Sequence, residues 1–230
     1  MGETGSAVVQ YTTVAGDHQH ELEVKRSRFI TYLRRTTTEA EARDFIAELR
    51  RRHFDARHHC SAFLLGPDRM VQRSSDDGEP SGTAGLPMLE ALAKREMPSG
   101  QCDVSDITAV VVRYFGGVLL GAGGLVRAYS QSVSGAMDSA DLLVRKRLAV
   151  FAIDAPHAES GRWDNELRQD GTTILGTDYG PSSATLRVAV PDGPTAATDF
   201  AERLATLTAG AGTAVAQGTE WTDIAVAGHR

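Results

Sequence analysis

The spacing of apolar residues predicts a mixed set of strands and helices over residues 20–140. Apolar and polar positions nearly alternate over 22–33, which is typical of one half-exposed strand. Thr38 and Glu41 form a capping-box pattern, and the apolar positions that follow have the spacing of an amphipathic helix ending near His53. The remaining pattern predicts strands at 61–66 and 69–73, a helix over 86–97, a buried strand over 107–115 and a third amphipathic helix over 125–140.

The rest of the chain repeats this alternation on a smaller scale. Strand patterns lie at 142–153, 172–175, 183–190 and 213–221, and helical patterns lie at 158–167 and around Phe200. Their order is β-α-β-β-α-β, which is the order of ferredoxin-like domains. The pattern therefore predicts an α+β protein with a flexible arm at 1–19, a first domain at 20–140, a ferredoxin-like domain at 141–222 and a tail at 223–230.

Composition limits the classes of protein to consider. The chain has 230 residues, of which 41% are hydrophobic, and a net charge of −6, so indiscriminate coating of nucleic acid is excluded. The longest apolar runs, such as 107–112, are far shorter than the roughly 18 residues of a membrane span, and the N-terminus does not resemble a signal peptide. Two cysteines cannot build a disulfide framework. We therefore expect a cytoplasmic protein with free thiols and no membrane partner.

Positive charge is concentrated in one segment of this acidic chain. Residues 25–59 contain ten Lys and Arg against five Asp and Glu. A local excess of this kind can form a footprint for phosphate groups. Alternatively, it is a solvated face of a helix whose last turn is basic, because cations are favoured at that end of the helix dipole.

The first candidate for chemistry is the polar loop at 73–85, which contains Asp76, Asp77 and Glu79. Three carboxylates and several hydroxyls in a short loop could hold a hydrated divalent cation. The alternative is a tight turn followed by a helix N-terminus, where acidic residues are favourable in any case.

The second candidate is a glycine-rich segment between the predicted strand at 107–115 and the third helix. Its five glycines are Gly116, Gly117, Gly121, Gly123 and Gly124, and they are bracketed by Arg113 and Arg127. Backbone N–H groups at such a helix start can bind phosphate or another anion. The spacing matches neither a P-loop nor a dinucleotide fingerprint. The glycines could instead serve unusual backbone angles or close packing.

Other signals are weaker. His58 lies in the run Arg57-His58-His59-Cys60, but neighbouring strand residues point to opposite faces, so we expect no metal site there. The serine motif of the α/β-hydrolases is absent, and no catalytic triad can be nominated. The sequence therefore predicts no catalytic residue, no metal and no cofactor.

Three stretches together resemble the IMPACT family, also called the YigZ family. They are residues 56–62 (ARHHCSA), 76–85 (DDGEPSGTAG) and 112–129 (VRYFGGVLLGAGGLVRAY), with Leu119 where many members have Lys. The resemblance implies a first domain like the second domain of small-subunit ribosomal protein five and a second domain like the fifth domain of elongation factor G. On this basis the binding residues are placed in two groups. The groups are Asp76, Asp77, Glu79 and His58, and Arg113, Tyr114, Phe115, Arg127 and the five glycines.

The resemblance also implies a role in translation, because eukaryotic members restrain a kinase pathway that phosphorylates an initiation factor. They bind the activator of that pathway through an additional N-terminal domain, which we do not expect here. Our leading hypothesis is a non-enzymatic regulator that binds RNA or ribosomes through the glycine-rich turn. The alternatives are a phosphate- or nucleotide-dependent enzyme related in fold to small-molecule kinases, and a protein-interaction module that uses the sheet of the second domain, whose partner could be a protein of translational control. The sequence predicts no oligomeric state.

Overall fold

The structure is a computed structural model that describes residues 8–97 and 99–225. Two compact units make up the described chain: one runs up to Arg145 and resumes at Ile224, and the other covers Lys146–Asp223. The elements of the first unit are β1 (Gln10–Val14), β2 (His18–Val24), β3 (Ser27–Arg35), α1 (Glu39–Arg52), β4 (His58–Leu65), β5 (Val71–Ser75), α2 (Gly85–Ala93), β6 (Ile107–Tyr114) and α3 (Ala122–Ser139).

The first unit is built around an antiparallel sheet in the order β2-β3-β6-β4-β5. Its central strand β6 is buried from Ile107 to Arg113, as the run of β-branched residues predicts. Phe45 and Leu49 of α1 pack on one face of the sheet. Helices α2 and α3 cover the opposite face through Met88, Tyr129 and their apolar neighbours. The sheet is thus enclosed between helices, and the predicted α+β class is confirmed.

Helix α1 begins where the capping-box pattern predicts. The Thr38 hydroxyl accepts a hydrogen bond from the Glu41 N–H at 3.2 Å. The Glu41 carboxylate reaches back to the Thr37 N–H at 2.6 Å, one residue before the expected partner. Both contacts satisfy donors that the helix itself leaves unpaired.

The predicted single strand at 22–33 is wrong, because this region is a hairpin. Strands β2 and β3 pair antiparallel across a turn at Lys25 and Arg26. Both turn residues have positive φ, at 47° and 67°, as a tight hairpin turn of the primed type requires. Lys-Arg is not a usual sequence for such a turn, so the pattern gave no sign of it.

The predicted flexible arm at 1–19 is wrong for the residues that the structure describes. Strand β1 is largely buried and its backbone is hydrogen-bonded to residues 103, 105 and 141, while β2 already starts at His18. The small polar side chains around β1 obscured it, because Tyr11 and Val14 are its main apolar contribution to the core. Residues 1–7 lie outside the described part.

The second unit contains the elements in the predicted order. They are β7 (Leu142–Pro156), α4 (His157–Gln169), β8 (Thr173–Tyr179), β9 (Ser183–Pro191), α5 (Ala196–Leu207) and β10 (Ala214–Ala225). Strand β7 pairs with β9 and β10, and β8 pairs with β9. Trp163 and Phe200 of the two helices are buried against this sheet. The predicted tail from 223 is wrong up to residue 225, which is still in β10, and residues 226–230 lie outside the described part.

Candidate functional site

A pocket of about 360 Å³ lies in the first unit, where the polar loop faces the start of α3. Its polar wall consists of Arg57, His58, Glu79 and Arg113. Its apolar wall consists of Pro80, Phe115, Leu119, Leu120 and Leu125, and Gly121 and Ala122 complete it. Members of both predicted groups of binding residues therefore line one cavity.

Glu79 connects the polar loop to the glycine-rich helix. Its Oε1 accepts hydrogen bonds from Arg113 at 2.6 Å and from the Tyr129 hydroxyl at 2.8 Å. The side chains of Glu79 and Arg113 are only 4% and 6% exposed, so this ion pair is buried. Removing one partner of such a pair leaves an uncompensated charge and costs about 3–5 kcal/mol. The contact fixes the position of the loop relative to β6 and α3.

The Arg113 side chain contacts four other residues. Besides Glu79, its guanidinium contacts the Ser27 hydroxyl at 3.4 Å and lies 5.3 Å and 5.6 Å from the ring centroids of Phe29 and Phe115. Its buried Nε has no hydrogen-bond partner among the described residues. Arg113 lines the pocket, and its charge is balanced there by that of Glu79.

Asp76 and Asp77 do not line the pocket. Asp76 accepts backbone N–H bonds from Gly82, Ala84 and Gly85 at 2.7–3.0 Å, at the start of α2. Partial burial acts to raise its pKa, but these three hydrogen bonds outweigh that effect and lower the pKa overall. Asp77 accepts from the His59 N–H and from Arg50, both at 2.6 Å. Both carboxylates therefore bind protein donors, as the turn interpretation of this loop expects.

His58 is oriented by the same loop. Its Nδ1 lies 2.9 Å from the Asp77 carbonyl oxygen. Because a carbonyl only accepts, Nδ1 carries a proton and Nε2 of the neutral ring is left as an acceptor. Nε2 is 3.9 Å from the Glu79 carboxylate. His58 also lies opposite Arg113 in the pairing of β4 with β6, which explains why both line the pocket.

The glycines serve different purposes. A Cβ on Gly116 would lie 2.1 Å from the Arg26 carbonyl group, so this residue lets the β2–β3 turn approach the backbone. Gly117 and Gly121 have positive φ, at 83° and 72°. Gly123 and Gly124 are in the first turn of α3, which has no side-chain cap. The backbone N–H groups at this helix start are therefore not bound by a capping side chain and carry the positive end of the helix dipole.

Two other predicted residues lie away from the pocket lining. Tyr114 packs on the α1 face of the sheet, where its hydroxyl donates to Asp55 at 3.0 Å. Arg127 is exposed on α3. Neighbouring residues of a strand point to opposite faces, which is why Tyr114 differs from Arg113 and Phe115.

The sequence analysis also did not nominate three residues with polar side chains at or behind this pocket. Arg57 is exposed and lines the pocket. Tyr129 and Cys60 are buried behind it, with the Cys60 Sγ 3.3 Å from the Tyr129 hydroxyl. Burial raises the pKa of the Cys60 thiol to about 12, so it stays protonated at neutral pH. Tyr129 lies on the apolar stripe of α3, so its spacing indicates only a core residue.

Ion pairing neutralises much of the basic segment at 25–59. At least five of the Lys and Arg residues in this segment pair with carboxylates: Arg28 with Glu21, Arg34 with Asp17 and Glu48, Arg43 with Glu39, Arg50 with Asp77, and Arg52 with Glu48. These five fit the solvated-face interpretation. Lys25, Arg26 and Arg57 are exposed, and Arg57 adds positive charge directly at the pocket.

Among residues 8–97 and 99–225, no group of three His, Cys, Asp or Glu side chains is arranged to hold a metal ion. No helix in the described part of the chain is long and apolar enough to cross a membrane.

These observations define a two-unit α+β protein with a pocket at the glycine-rich start of a helix. The family model for the Impact N-terminal domain matches residues 25–137. IMPACT family member YigZ of Escherichia coli is 42% identical over 82% of this chain and 88% of its own length. IMPACT family member YvyE of Bacillus subtilis is 45% identical over 69% of this chain and 70% of its own. The chain belongs to the IMPACT family.

A solved structure supports the fold. A crystal structure described as that of a hypothetical protein shares 37% sequence identity with this chain and has a TM-score of 0.56. The match covers 90% of this chain and 97% of the other. The likeness of the two units to a ribosomal protein domain and an elongation factor domain stays a prediction.

Proposed function

We propose that this chain is a non-enzymatic regulator of translation that binds RNA, free or in the ribosome, through the pocket at the start of α3. The observation that carries the proposal is the meeting of two positive features in one cavity, Arg57 and the uncapped N-terminal turn of α3. Among the described residues, Glu79 is the one carboxylate that lines the same cavity, and its charge is balanced by that of Arg113. Such a site favours an anion, and phosphate groups are the anions that RNA presents.

The family supports the same proposal. The resemblance implies that its eukaryotic members act in translational control. The net charge of −6 argues against binding along the whole surface, so we propose a localised contact with one or a few phosphates.

Arg57→Ala is the variant that tests the proposal. Arg57 is exposed, so its removal should leave the fold intact, whereas Arg113→Ala would leave the buried Glu79 unpaired. A hydrogen bond from a charged group contributes about 1.5 kcal/mol or more, so we expect roughly tenfold weaker binding of a labelled RNA by fluorescence anisotropy. The slope of log K against log salt should also become shallower by about 0.7, for one lost phosphate contact.

Arg43→Ala is the matched control, because Arg43 is exposed on α1 in the same unit and does not line the pocket. It removes the same charge and should change the affinity little. The proposal is wrong if RNA affinity does not depend on salt, or if Arg57→Ala and Arg43→Ala bind RNA equally well.

A phosphate-dependent enzyme is the second candidate, favoured by His58 and Glu79, which place an acceptor nitrogen and a carboxylate 3.9 Å apart in the pocket. Ligation of Mg²⁺ by Asp76 and Asp77 has less support, because both carboxylates bind protein donors. A thermal-shift experiment with nucleotides and Mg²⁺ at millimolar concentration tests this candidate. Specific stabilisation that His58→Ala abolishes would favour it, and an unchanged melting temperature would count against it.

A further inference from the structure

The phenylalanines of this chain divide sharply into two groups. The chain contains seven. Five are buried, namely Phe29, Phe45, Phe63, Phe151 and Phe200. The other two, Phe54 and Phe115, are 85% and 44% exposed. Exposing a phenyl ring forgoes the stabilisation that its burial would give, so these two residues call for an explanation.

Both exposed phenylalanines lie in segments near the end of β6. Both sequence neighbours of Phe54 contact Tyr114. The ring centroid of His53 is 6.1 Å from that of Tyr114, and Asp55 accepts a hydrogen bond from the Tyr114 hydroxyl at 3.0 Å. Phe115 directly follows Tyr114. Both phenylalanines therefore lie near the end of β6: the neighbours of Phe54 contact Tyr114 on the α1 face, and Phe115 lines the pocket.

Positively charged side chains lie near both phenylalanines. Arg57 follows Phe54 by three residues, so their Cα atoms are at most about 11 Å apart, and Arg57 also lines the pocket with Phe115. The Arg113 guanidinium lies 5.6 Å from the Phe115 centroid. The turn at Lys25 and Arg26 approaches Gly116, the next residue along. Aromatic rings interleaved with cations are the arrangement that binds the bases and phosphates of a single strand.

We propose that this end of the sheet binds single-stranded RNA, with one base stacked on Phe115, another on Phe54, and the intervening backbone on Arg57 and the start of α3. The inference rests on the proposed function and specifies the form of its ligand. Bases in a duplex are stacked on one another and do not offer their faces to a side chain, so a stacking site discriminates against double-stranded RNA. A peptide ligand would match the phenyl rings but would not need Arg57 and the helix start, which select for phosphate.

The test compares a labelled single-stranded RNA of about ten nucleotides with the duplex of the same sequence, by fluorescence anisotropy, on the full chain. We expect the wild-type protein to bind the single strand more tightly. Phe54→Ala and Phe115→Ala should each weaken single-strand binding by about fivefold or more, because each removes a stacked base. The salt slope should stay as in the wild type, since neither ring contacts a phosphate, whereas Arg57→Ala should change it.

Two further variants act as controls. Met70→Ala removes an apolar side chain that is 79% exposed elsewhere on the first unit, and it should bind RNA as the wild type does. Phe54→Tyr keeps an aromatic ring and should retain most of the affinity. Circular dichroism checks that each variant is folded.

The outcomes separate the two proposals. Preference for the single strand, lost in both alanine variants, supports the inference. RNA binding that favours the duplex, or that is equal in wild type, Phe54→Ala and Phe115→Ala, overturns the inference and leaves the proposed function standing. Absence of binding to either RNA overturns both.

Discussion

Asp76 and Glu79 lie three residues apart in one loop, yet their carboxylates bind different kinds of donor. Asp76 accepts three backbone N–H groups near the start of α2, whereas Glu79 forms the buried ion pair with Arg113. Asp76 therefore shapes the loop, and that shape presents Glu79 and Pro80 to the pocket. This difference between the two carboxylates depends on the backbone geometry of the loop, which the number of acidic residues in the sequence does not reveal.

Asp76→Asn should destabilise the protein by about 1–2 kcal/mol at neutral pH. The amide keeps one acceptor, but its NH₂ group would face the Gly82 N–H, which now donates to Oδ2 at 2.7 Å. Urea unfolding measures the change. Asp44→Asn is the matched control, because Asp44 is exposed on α1, and it should alter the free energy of unfolding much less.

The difference between wild type and Asp76→Asn should also depend on pH. The pKa of Asp76 is lowered in the folded protein, so its contribution to stability is complete above an unfolded pKa of about 3.9. The contribution is lost as the pH falls through the folded pKa. Unfolding free energies measured from pH 7 downward should therefore converge only below about pH 4. Convergence already at pH 6 would contradict this assignment.

At the scale of elements, the hairpin of β2 and β3 and the glycine-rich segment depend on each other. The turn at Lys25 and Arg26 lies against Gly116, and the Ser27 hydroxyl accepts the Gly116 N–H at 3.2 Å. The two segments are far apart in sequence, so the reason for a glycine at this position lies in the fold. By contrast, Gly123 has open space around it.

Gly116→Ala should therefore destabilise the first unit by about 1–3 kcal/mol or more, because the new methyl group would overlap backbone atoms that cannot move freely. Gly123→Ala is the matched control on the same segment, and it should be neutral or stabilise by up to about 1 kcal/mol, since alanine favours a helix. Thermal unfolding followed by circular dichroism compares the two. A Gly116→Ala protein as stable as the Gly123→Ala protein would show that the turn is not packed as described.

Most elements follow from periodicity, because α1, β6, α3 and the order of the second unit all carry a clear apolar pattern. The elements that were missed lack such a signal: β1 is short, and the turn at Lys25 and Arg26 lacks the usual Asn or Gly. Within the site, Glu79 and Arg113 could be nominated from the sequence. Their pairing could not, because it joins residues 34 positions apart, and Arg57 looks like any other arginine of its basic run.

At the scale of the whole molecule, charge is distributed locally. The first unit holds at least five basic residues of the segment at 25–59 in ion pairs and leaves Arg57 at the pocket. A net charge of −6 is therefore compatible with one anion site, because opposite charges more than about 8–10 Å away are screened at physiological ionic strength. What matters for binding is the sign of the charge at the start of α3.

The two units can be followed separately in unfolding experiments, because both tryptophans, Trp163 and Trp221, belong to the second unit. The main cores of the units share no residues, and on this basis we expect each unit to unfold cooperatively. We expect Gly116→Ala to lower an unfolding midpoint seen by circular dichroism without moving the tryptophan fluorescence transition.

The matching variant of the second unit is Ile153→Val, in the second core. It should lower the midpoint of the tryptophan fluorescence transition, because it destabilises this unit by about 1 kcal/mol. If Gly116→Ala shifts the fluorescence midpoint as much as the circular dichroism signal, the units unfold as one, and destabilisation of the pocket would then reach the whole chain.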